Sequence, residues 1–306
     1  MPSPSTEPKE QTSTSGERLA IFRRQNNDMH VWVYNTECSK VDVEHKIPAK
    51  RFTKIFAFQY KLVLIGGIPE SRSVDLFNPS TGQISPLPDM IHTRESPTCE
   101  ATENEIFVFS CSSPISAGAF FSEVYETASG RWSPLPPMIV ERRHCSAVNI
   151  PDSGVLVIGG VGKGYVFLRT TELLTRRSGE GGEKWQWRPF PTMNDYHSGF
   201  PLSVYFQGRV FVVGFEQCVN TMEMLDVVVG DHWTILNLFG PPLETSLNVR
   251  SMVRVGSELF VRDFRQSDAY SIDLKISLER PNPKCRKRDI IPFGQLIAVN
   301  SINPSS

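Results

Sequence analysis

The chain lacks the features that mark membrane-spanning, exported and general nucleic-acid-binding proteins. No apolar run in its 306 residues approaches the roughly 18 residues that cross a bilayer as a helix. The N-terminus has no charged start followed by an apolar stretch, so we expect no secretory leader. A formal net charge of −1 argues against a general nucleic-acid binder. We therefore expect neither membrane nor nucleic acid among its partners.

The cysteine pattern and the glycosylation sites favour a cytoplasmic location. The six cysteines lie far apart and include no C-x-x-C pair. This pattern is typical of reduced, mostly buried thiols rather than of a disulfide framework. The Asn-x-Ser sites at Asn78 and Asn303 both carry Pro in the middle position, which blocks glycosylation.

Sequence motifs of catalysis are also missing. The six histidines form no pairs at zinc-like spacing, and there is no G-x-S-x-G nucleophile motif. The stretch Gly159–Gly164 (GGVGKG) looks like a phosphate-binding loop, but Gly rather than Ser or Thr follows Lys163, and the four-residue spacer is absent. It predicts a turn between two strands. We expect no cofactor and no metal, and we predict that the protein is not an enzyme.

The chain does contain an internal repeat of three positions. An apolar or Trp residue is followed six residues later by Met or Ile, and four residues beyond that by Arg or His. The copies are Val41–Ile47–Arg51, Ile84–Met90–Arg94, Trp132–Met138–Arg142 and Trp187–Met193–His197. Their first positions are separated by 43, 48 and 55 residues, a period typical of blade and solenoid arrays.

Short apolar runs between turn signals predict that each unit consists of strands. The runs are Lys61–Gly67, Glu105–Phe109, Gly154–Gly160, Gly208–Gly214 and Glu258–Val261. They are too short for helices, and their continuous apolar character is typical of strands buried on both faces. One strand before each run and two after it give four antiparallel strands per unit, which predicts β-propeller blades. Only at Thr170–Arg177 do helix and strand both remain open.

The units resemble kelch repeats. A kelch unit has a double glycine after its second strand, an aromatic residue on the third and a Trp on the fourth. The matching sets are Gly66-Gly67 with Phe77 and Ile84, Tyr125 with Trp132, Gly159-Gly160 with Trp187 after an insertion at Arg176–Lys184, Trp233 in a fifth unit, and Leu247–Leu274 as a sixth unit with Arg262-Asp263 in the glycine position. The fold class is therefore predicted to be all-β, a six-bladed kelch-type β-propeller spanning residues 18–300.

The two ends of the chain are predicted to complete the ring. Three strands before residue 45 form a first blade that lacks its innermost strand, and Phe293–Val299 is an isolated strand. We expect this C-terminal strand to close the first blade and remove an exposed edge. Residues 1–17, rich in Pro, Ser and Thr, are predicted to be a disordered tail, and residues 301–306 a disordered C-terminus.

Basic residues are predicted to gather on one face of the propeller. If strands are lettered A to D along each blade, the D–A linkers and the B–C turns emerge on the same side. The candidate partner-binding residues there are Arg51, Arg94, Arg142, Arg143, His197 and Arg250, with the Ser-rich loop 110–116 as a polar contact. A ring of Arg is suited to bidentate binding of carboxylates. The alternative left open is that the arginines pair with interspersed acids (Glu70, Glu95, Glu141, Asp195, Glu216) and lock neighbouring blades.

The family resemblance implies a function. The chain is similar to the kelch domain of substrate adaptors of cullin-type ubiquitin ligases, in which arginines after the Met of the fourth strand grip acidic peptides. This role carries over to Arg94 and Arg142, and less securely to Arg51, whereas His197 departs from the pattern. The adaptors also carry N-terminal dimerisation and helical domains, which seventeen polar residues cannot provide. A ligase is therefore expected as a partner only if the full gene product has such a domain.

The prediction is thus a module that binds a short acidic peptide of a protein partner, in substrate recognition for ubiquitination. An actin-associated kelch scaffold and a propeller enzyme acting on a sugar or in redox chemistry remain alternatives, although the copper ligands of a kelch-type oxidase cannot be assembled here. The basic run Lys284–Arg288 is read as a solvated loop, with a nuclear localisation signal as the alternative.

Overall fold

The structure is a computed structural model. It describes residues 16–300 apart from 27, 36, 49, 70, 111–120, 180–181, 237–246, 266–267, 276–284 and 289–293. Within these ranges the chain forms six four-stranded antiparallel sheets, the blades of a ring, as the repeat predicted. Of the tail predicted to be disordered at residues 1–17, residues 1–15 lie outside the described residues, whereas Glu17 already begins the first strand. Residues 301–306 also lie outside the described residues.

The first three blades take up the N-terminal half. Blade 1 contains β1 (Glu17–Gln25), β2 (Asp28–Tyr34) and β3 (Val41–Pro48). Blade 2 contains β4 (Lys54–Phe58), β5 (Lys61–Ile65), β6 (Val74–Phe77) and β7 (Ile84–Leu87). Blade 3 contains β8 (Thr98–Ala101), β9 (Glu105–Phe109), β10 (Glu123–Glu126) and β11 (Arg131–Pro134).

The remaining blades follow in the same order, with one small accessory sheet. The short strands β12 (Arg142–Arg143) and β15 (Val161–Gly162) pair with each other, and blade 4 is formed by β13 (Ser146–Ile150), β14 (Gly154–Ile158), β16 (Thr171–Gly179) and β17 (Gly182–Phe190). Blade 5 contains β18 (Pro201–Phe206), β19 (Arg209–Gly214), β20 (Glu223–Asp226) and β21 (Trp233–Ile235). Blade 6 contains β22 (Val249–Val255), β23 (Glu258–Asp263), β24 (Ala269–Asp273) and β25 (Cys285–Lys287).

The last strand closes the ring. The strand β26 (Gln295–Asn300) pairs antiparallel with β1, from Glu17 opposite Asn300 to Phe22 opposite Gln295. It is the innermost strand of blade 1, so the predicted closure by a C-terminal strand is confirmed. The innermost strands β26, β4, β8, β13, β18 and β22 each contact the next in a closed circle. Pairing the free edge of β1 satisfies backbone groups that an open ring would expose.

The core lies between successive blades. The second strands β5, β9, β14, β19 and β23 are apolar along most of their length because both of their faces are covered. Between blades 2 and 3, for example, Val63 and Ile65 pack in one cluster with Ile106 and Val108. Each such side chain stabilises the fold by about 1.5–3 kcal/mol through burial of apolar surface.

The structure decides one segment that the sequence left open and corrects the prediction for another. The ambiguous stretch Thr170–Arg177 forms a strand, because β16 pairs antiparallel with β17 in a long hairpin. The pairing runs from Thr171 opposite Phe190 to Gly179 opposite Gly182. The insertion predicted at Arg176–Lys184 is the outer part of this hairpin. The basic run near residue 285 is not a loop but the outer strand β25, which pairs with β24; Arg286 and Lys287 are exposed, and Lys284 lies outside the described residues.

Helical structure is minor. Short 3-10 turns occur at Lys163–Tyr165, His197–Gly199 and Val219–Thr221. The first of them lies in the B–C loop of blade 4, so the predicted turn at Gly159–Gly164 is confirmed. In the part of the chain that the structure describes, no helix has the length and apolar character needed to span a membrane.

Candidate functional site

The side of the propeller that carries the D–A linkers and the B–C loops is called the linker face. The described parts of the linkers between consecutive blades lie within residues 50–53, 88–97, 135–145, 191–200 and 236–248. The described parts of the B–C loops of blades 2 to 6 lie within residues 66–73, 110–122, 159–170, 215–222 and 264–268. Linkers and loops meet directly, because Arg51 bridges Ile68 and Arg142 pairs with Gly162. This is the face that the sequence singled out.

Arg142 lies in the interior beneath this face. Its side chain is 0% exposed and forms an ion pair with Glu172 at the start of β16. The guanidinium also donates hydrogen bonds to the carbonyl oxygens of Gly159 (3.0 Å) and Thr170 (2.7 Å). The Glu172 carboxylate accepts further hydrogen bonds from the backbone N–H groups of Ile139 (2.7 Å) and Val140 (2.9 Å). One carboxylate of blade 4 therefore holds both the Arg and the backbone of the preceding linker.

Arg94 repeats this arrangement one blade earlier. Its Nη2 lies 2.8 Å from Oε1 of Glu123, the first residue of β10, and both side chains are 0% exposed. The guanidinium also donates to the carbonyl oxygen of Phe121 (2.7 Å). The backbone N–H of Ile91 donates to the same carboxylate at 2.6 Å. Charge-assisted hydrogen bonds of this length are the strong class in proteins.

His197 takes the same place one blade later. Its Nε2 lies 3.1 Å from Oε1 of Glu223, the first residue of β20, and both are buried. Glu223 also accepts from the backbone N–H groups of Asn194 (2.9 Å) and Asp195 (2.8 Å). Burial raises the pKa of Glu223, but the hydrogen bonds from His197, Asn194 and Asp195 outweigh it and hold the pKa below its ordinary value.

A Trp of the same blade as each Glu donates a hydrogen bond to the same linker. The indole N–H groups of Trp132, Trp187 and Trp233 donate to the carbonyl oxygens of Pro88 (2.8 Å), Pro136 (2.9 Å) and Pro191 (2.8 Å), respectively. Each Pro lies two residues before the buried Met of its linker, namely Met90, Met138 and Met193. We call the set of Trp, carboxylate, linker N–H and Arg or His side chain the linker clamp. In the repeat copies that end at Arg142 and His197, the last two residues belong to one clamp and the Trp belongs to the clamp before it.

The clamp changes the interpretation of three predicted site residues. Arg94, Arg142 and His197 point into the interior and are engaged by Glu123, Glu172 and Glu223, which is the inter-blade role that the sequence left as an alternative. The partners observed for these three residues are Glu123, Glu172 and Glu223. The sequence had proposed Glu70, Glu95, Glu141, Asp195 and Glu216 for that role, and of these Glu70 lies outside the described residues. Binding of a partner by these three residues stays a prediction, and their burial argues against it.

A signal for the true acids was present in the sequence. Glu123, Glu172 and Glu223 each stand two residues before the aromatic or Leu position of the third strand, at Tyr125, Leu174 and Leu225. The same spacing relates Asp75 to Phe77 in blade 2. An acid repeated at one position of a buried strand, at the same period as an Arg, predicts that the two residues pair.

The other predicted site residues stack on aromatic rings. The guanidinium carbon of Arg51 lies 5.6 Å from the ring centre of Phe52, that of Arg143 lies 4.5 Å from Tyr165, and that of Arg250 lies 5.5 Å from Phe264. Arg51 is exposed, Arg250 is half-buried and Arg143 is buried. Distances below about 6 Å are those of cation–π pairs.

Exposed apolar side chains concentrate on the linker face. Of the sixteen large exposed apolar residues in the described ranges, ten lie in linkers or B–C loops. The linker face is therefore richer in exposed apolar side chains than the rest of the described surface. They are Phe52, Ile68, Ile91, Phe121, Ile139, Tyr165, Val166, Phe167, Tyr196 and Phe200. We call them, with the cations stacked on them, the rim.

Further stacking contacts extend the rim. Arg169 lies 5.8 Å over Tyr196, His92 stacks on Phe121 at 4.8 Å, and the rings of His144 and Phe200 are 4.8 Å apart. Burial and the neighbouring charge of Arg143 lower the pKa of His144, which favours a neutral ring there. Ser110 is buried, and residues 111–116 of the proposed Ser-rich contact lie outside the described residues.

Burial also shifts the pKa values of titratable groups away from the linker face. Burial raises the pKa of the Cys99 thiol to about 12 and that of Glu100, on the innermost strand β8, to about 7. Across the described ranges, no three His, Cys, Asp or Glu side chains are grouped closely enough to hold a metal ion.

Comparison with known proteins adds no relative. No protein-family model matches the chain, and no curated protein is found to be similar to it. The fold established by the structure is a six-bladed β-propeller, and the kelch-type relationship stays a resemblance in the sequence.

Proposed function

We propose that the protein is an interaction module that binds a peptide segment of a protein partner on its linker face. The observation that carries the proposal is the rim, in which ten exposed apolar side chains lie on one face, with cations stacked on several of them. Large apolar side chains that gather on one exposed face of a protein are typical of interaction sites. Aromatic residues and Arg are also the residue types enriched at the energetic centres of interfaces.

The charge of the rim favours an acidic peptide. Exposed cations on the linker face include Arg51, Arg72, Lys163, Arg169 and Arg265, whereas its exposed acids in the described ranges are Asp89, Glu141 and Glu216. A guanidinium stacked on an aromatic ring presents its N–H groups at the edge of the stack, in the geometry that matches a carboxylate through two hydrogen bonds. Within the predicted set, the exposed Arg51 and the half-buried Arg250 therefore serve as the carboxylate donors, whereas Arg143 is buried and the clamp residues keep the linkers in place.

The finer biological role rests on the sequence resemblance alone. It is substrate recognition for ubiquitination by a cytoplasmic protein that is not itself an enzyme, with a cullin-type ligase as partner only through a further domain. An actin-associated scaffold is the other role that the resemblance suggests.

Affinity capture with matched surface variants tests the proposal. The rim variant is Phe121→Ser with Tyr165→Ser, and the control is Val228→Ser with Val229→Ser on the opposite face. All four side chains are more than half exposed, so neither variant should lower the melting temperature. Quantitative mass spectrometry should find partners that are lost from the rim variant and retained by the control. Identical partner sets for the two variants would contradict the proposal, and co-sedimentation of both with actin filaments would favour the scaffold on another face.

A further inference from the structure

Blade 2 contains a fourth copy of the clamp carboxylate. Asp75 faces Leu64 in the sheet, as Glu123 faces Val108 and Glu172 faces Val157. Leu64, Val108 and Val157 are each the fourth residue of their second strand. Asp75 therefore occupies the position at which blades 3 and 4 bind the Arg of the preceding linker.

In blade 2, the positions that supply hydrogen-bond donors to the other clamps carry different residues or place them differently. Pro48 follows the buried Ile47 and has no backbone N–H to donate. Arg51, in the cation position, is exposed and lies over Phe52. Ile84 stands where the other three clamps have Trp and so carries no indole N–H. Among the described residues, no cation lies within 4.0 Å ion-pair distance of the Asp75 carboxylate.

An open cleft lies at this incomplete clamp. Its volume is about 440 Å³, and its walls include Pro48, Lys50, Leu64, Ser73, Asp75 and Ile84. This volume is within the range of small-ligand sites. Burial raises the pKa of Asp75 while Lys50 lowers it, and an entering cation would favour the ionised carboxylate.

We infer that this cleft binds a guanidinium group, such as an arginine side chain of a partner, with Asp75 as the acceptor. The ligand would reproduce the Arg94–Glu123 contact with a cation from another molecule. Leu64 and Ile84 provide apolar walls for its methylene stem. A planar guanidinium matches a carboxylate through two parallel hydrogen bonds, which a single ammonium cannot reproduce.

Lys50 opposes this binding by its charge. Its ammonium donates to the hydroxyl oxygens of Ser71 (2.8 Å) and Ser73 (2.9 Å), which hold it on one side of the cleft. Removal of this charge as Lys50→Met should therefore tighten the binding of a cation. The cleft lies beside the rim but does not include it, so this inference adds a site to the proposed function rather than resting on it.

The first test compares two small probes of the same shape. Nα-acetyl-L-arginine amide carries the guanidinium, and Nα-acetyl-L-citrulline amide carries an uncharged urea in its place. Titration followed by NMR should show saturable binding of the arginine probe, with a dissociation constant on the order of millimolar for so small a ligand. The citrulline probe should bind at least about tenfold more weakly because it lacks the charge-assisted contact. Equal binding of both probes, or no saturable binding at millimolar arginine probe, would overturn the inference.

Variants then locate the site. Asp75→Asn should weaken the arginine probe at least about tenfold, whereas Asp152→Asn, an exposed control in a turn of blade 4, should leave it unchanged. Ile84→Trp should fill the cleft and abolish binding with the melting temperature maintained, which keeps the test decisive even if Asp75→Asn fails to fold. Binding that survives both Asp75→Asn and Ile84→Trp would place the guanidinium elsewhere and overturn the inference. Failure here would leave the capture assay on the rim unaffected, so the two proposals are judged separately.

Discussion

Replacement of Glu172 by Ala should destabilise the propeller more than any change of an exposed ion pair. The Glu172 carboxylate is buried and accepts from the Arg142 guanidinium and from the N–H groups of Ile139 and Val140. With alanine there, a buried guanidinium loses its counter-charge and two backbone donors lose their acceptor. The carbonyl oxygens of Gly159 and Thr170 remain as acceptors of Arg142 but carry no net charge.

The cost is estimated from these lost contacts. Removal of one partner of a buried ion pair costs about 3–5 kcal/mol. Each N–H left without its acceptor adds about 1 kcal/mol, less where water enters the space of the deleted side chain. The expected loss in the free energy of unfolding is therefore roughly 4–6 kcal/mol, a large share of the 5–15 kcal/mol typical of a folded protein. Glu172→Gln keeps one carbonyl oxygen as acceptor and should cost about half as much.

Urea denaturation of matched variants measures this difference. The control is Glu126→Ala, because Glu126 pairs with Arg176 (2.7 Å) at a solvent-exposed position, where an ion pair contributes about 0–1 kcal/mol. Hydrogen exchange at the Ile139 and Val140 amides should accelerate in Glu172→Ala and stay unchanged in the control. Equal urea midpoints for the two variants would refute the clamp as a source of stability.

Three further predictions follow from the same geometry. Arg94→Ala combined with Arg142→Ala should lower the melting temperature, whereas a purely partner-binding role for these residues requires an unchanged thermal transition. Glu100→Gln should raise stability at pH 8 by roughly 2–3 kcal/mol and leave it unchanged near pH 4, as measured by urea denaturation at both values. The sign follows because a folded-state pKa of about 7 lies above the ordinary value of 4.5, so the contribution of the carboxyl is present below pH 4.5 and is lost as the pH rises through 7. Glu17→Ala should lower the free energy of unfolding by about 1–2 kcal/mol and accelerate hydrogen exchange in β26. Glu17 accepts two hydrogen bonds from Arg254 (2.6 and 2.7 Å), which connect blade 1 to blade 6. Unchanged exchange in β26 would show that Glu17 does not contribute to ring closure.

The main difference between the sequence prediction and the structure concerns Arg94 and Arg142, which were predicted to bind a partner and are found in buried ion pairs. Arg94 and Arg142 stand at positions where a surface role and a buried role give the same spacing, because spacing along the chain does not record the direction of a side chain. The partners Glu123 and Glu172 lie 29 and 30 positions further along the chain. Only the antiparallel return of the third strand brings them beneath the linker.

The sequence by itself determined the architecture. The period of Trp, Met and Arg, the short β-branched runs and the isolated C-terminal strand were enough to predict six four-stranded blades and their closure. These features are local, since strand formation and blade period depend on residues close together in the chain. Tertiary structure alone decided which arginines are buried in clamps and which exposed apolar residues form the rim. It also decided that Asp75 forms no ion pair with a cation among the described residues. The physical reason is that these properties depend on contacts between blades, where burial and the position of one counter-charge decide whether a residue stabilises the fold or faces a partner.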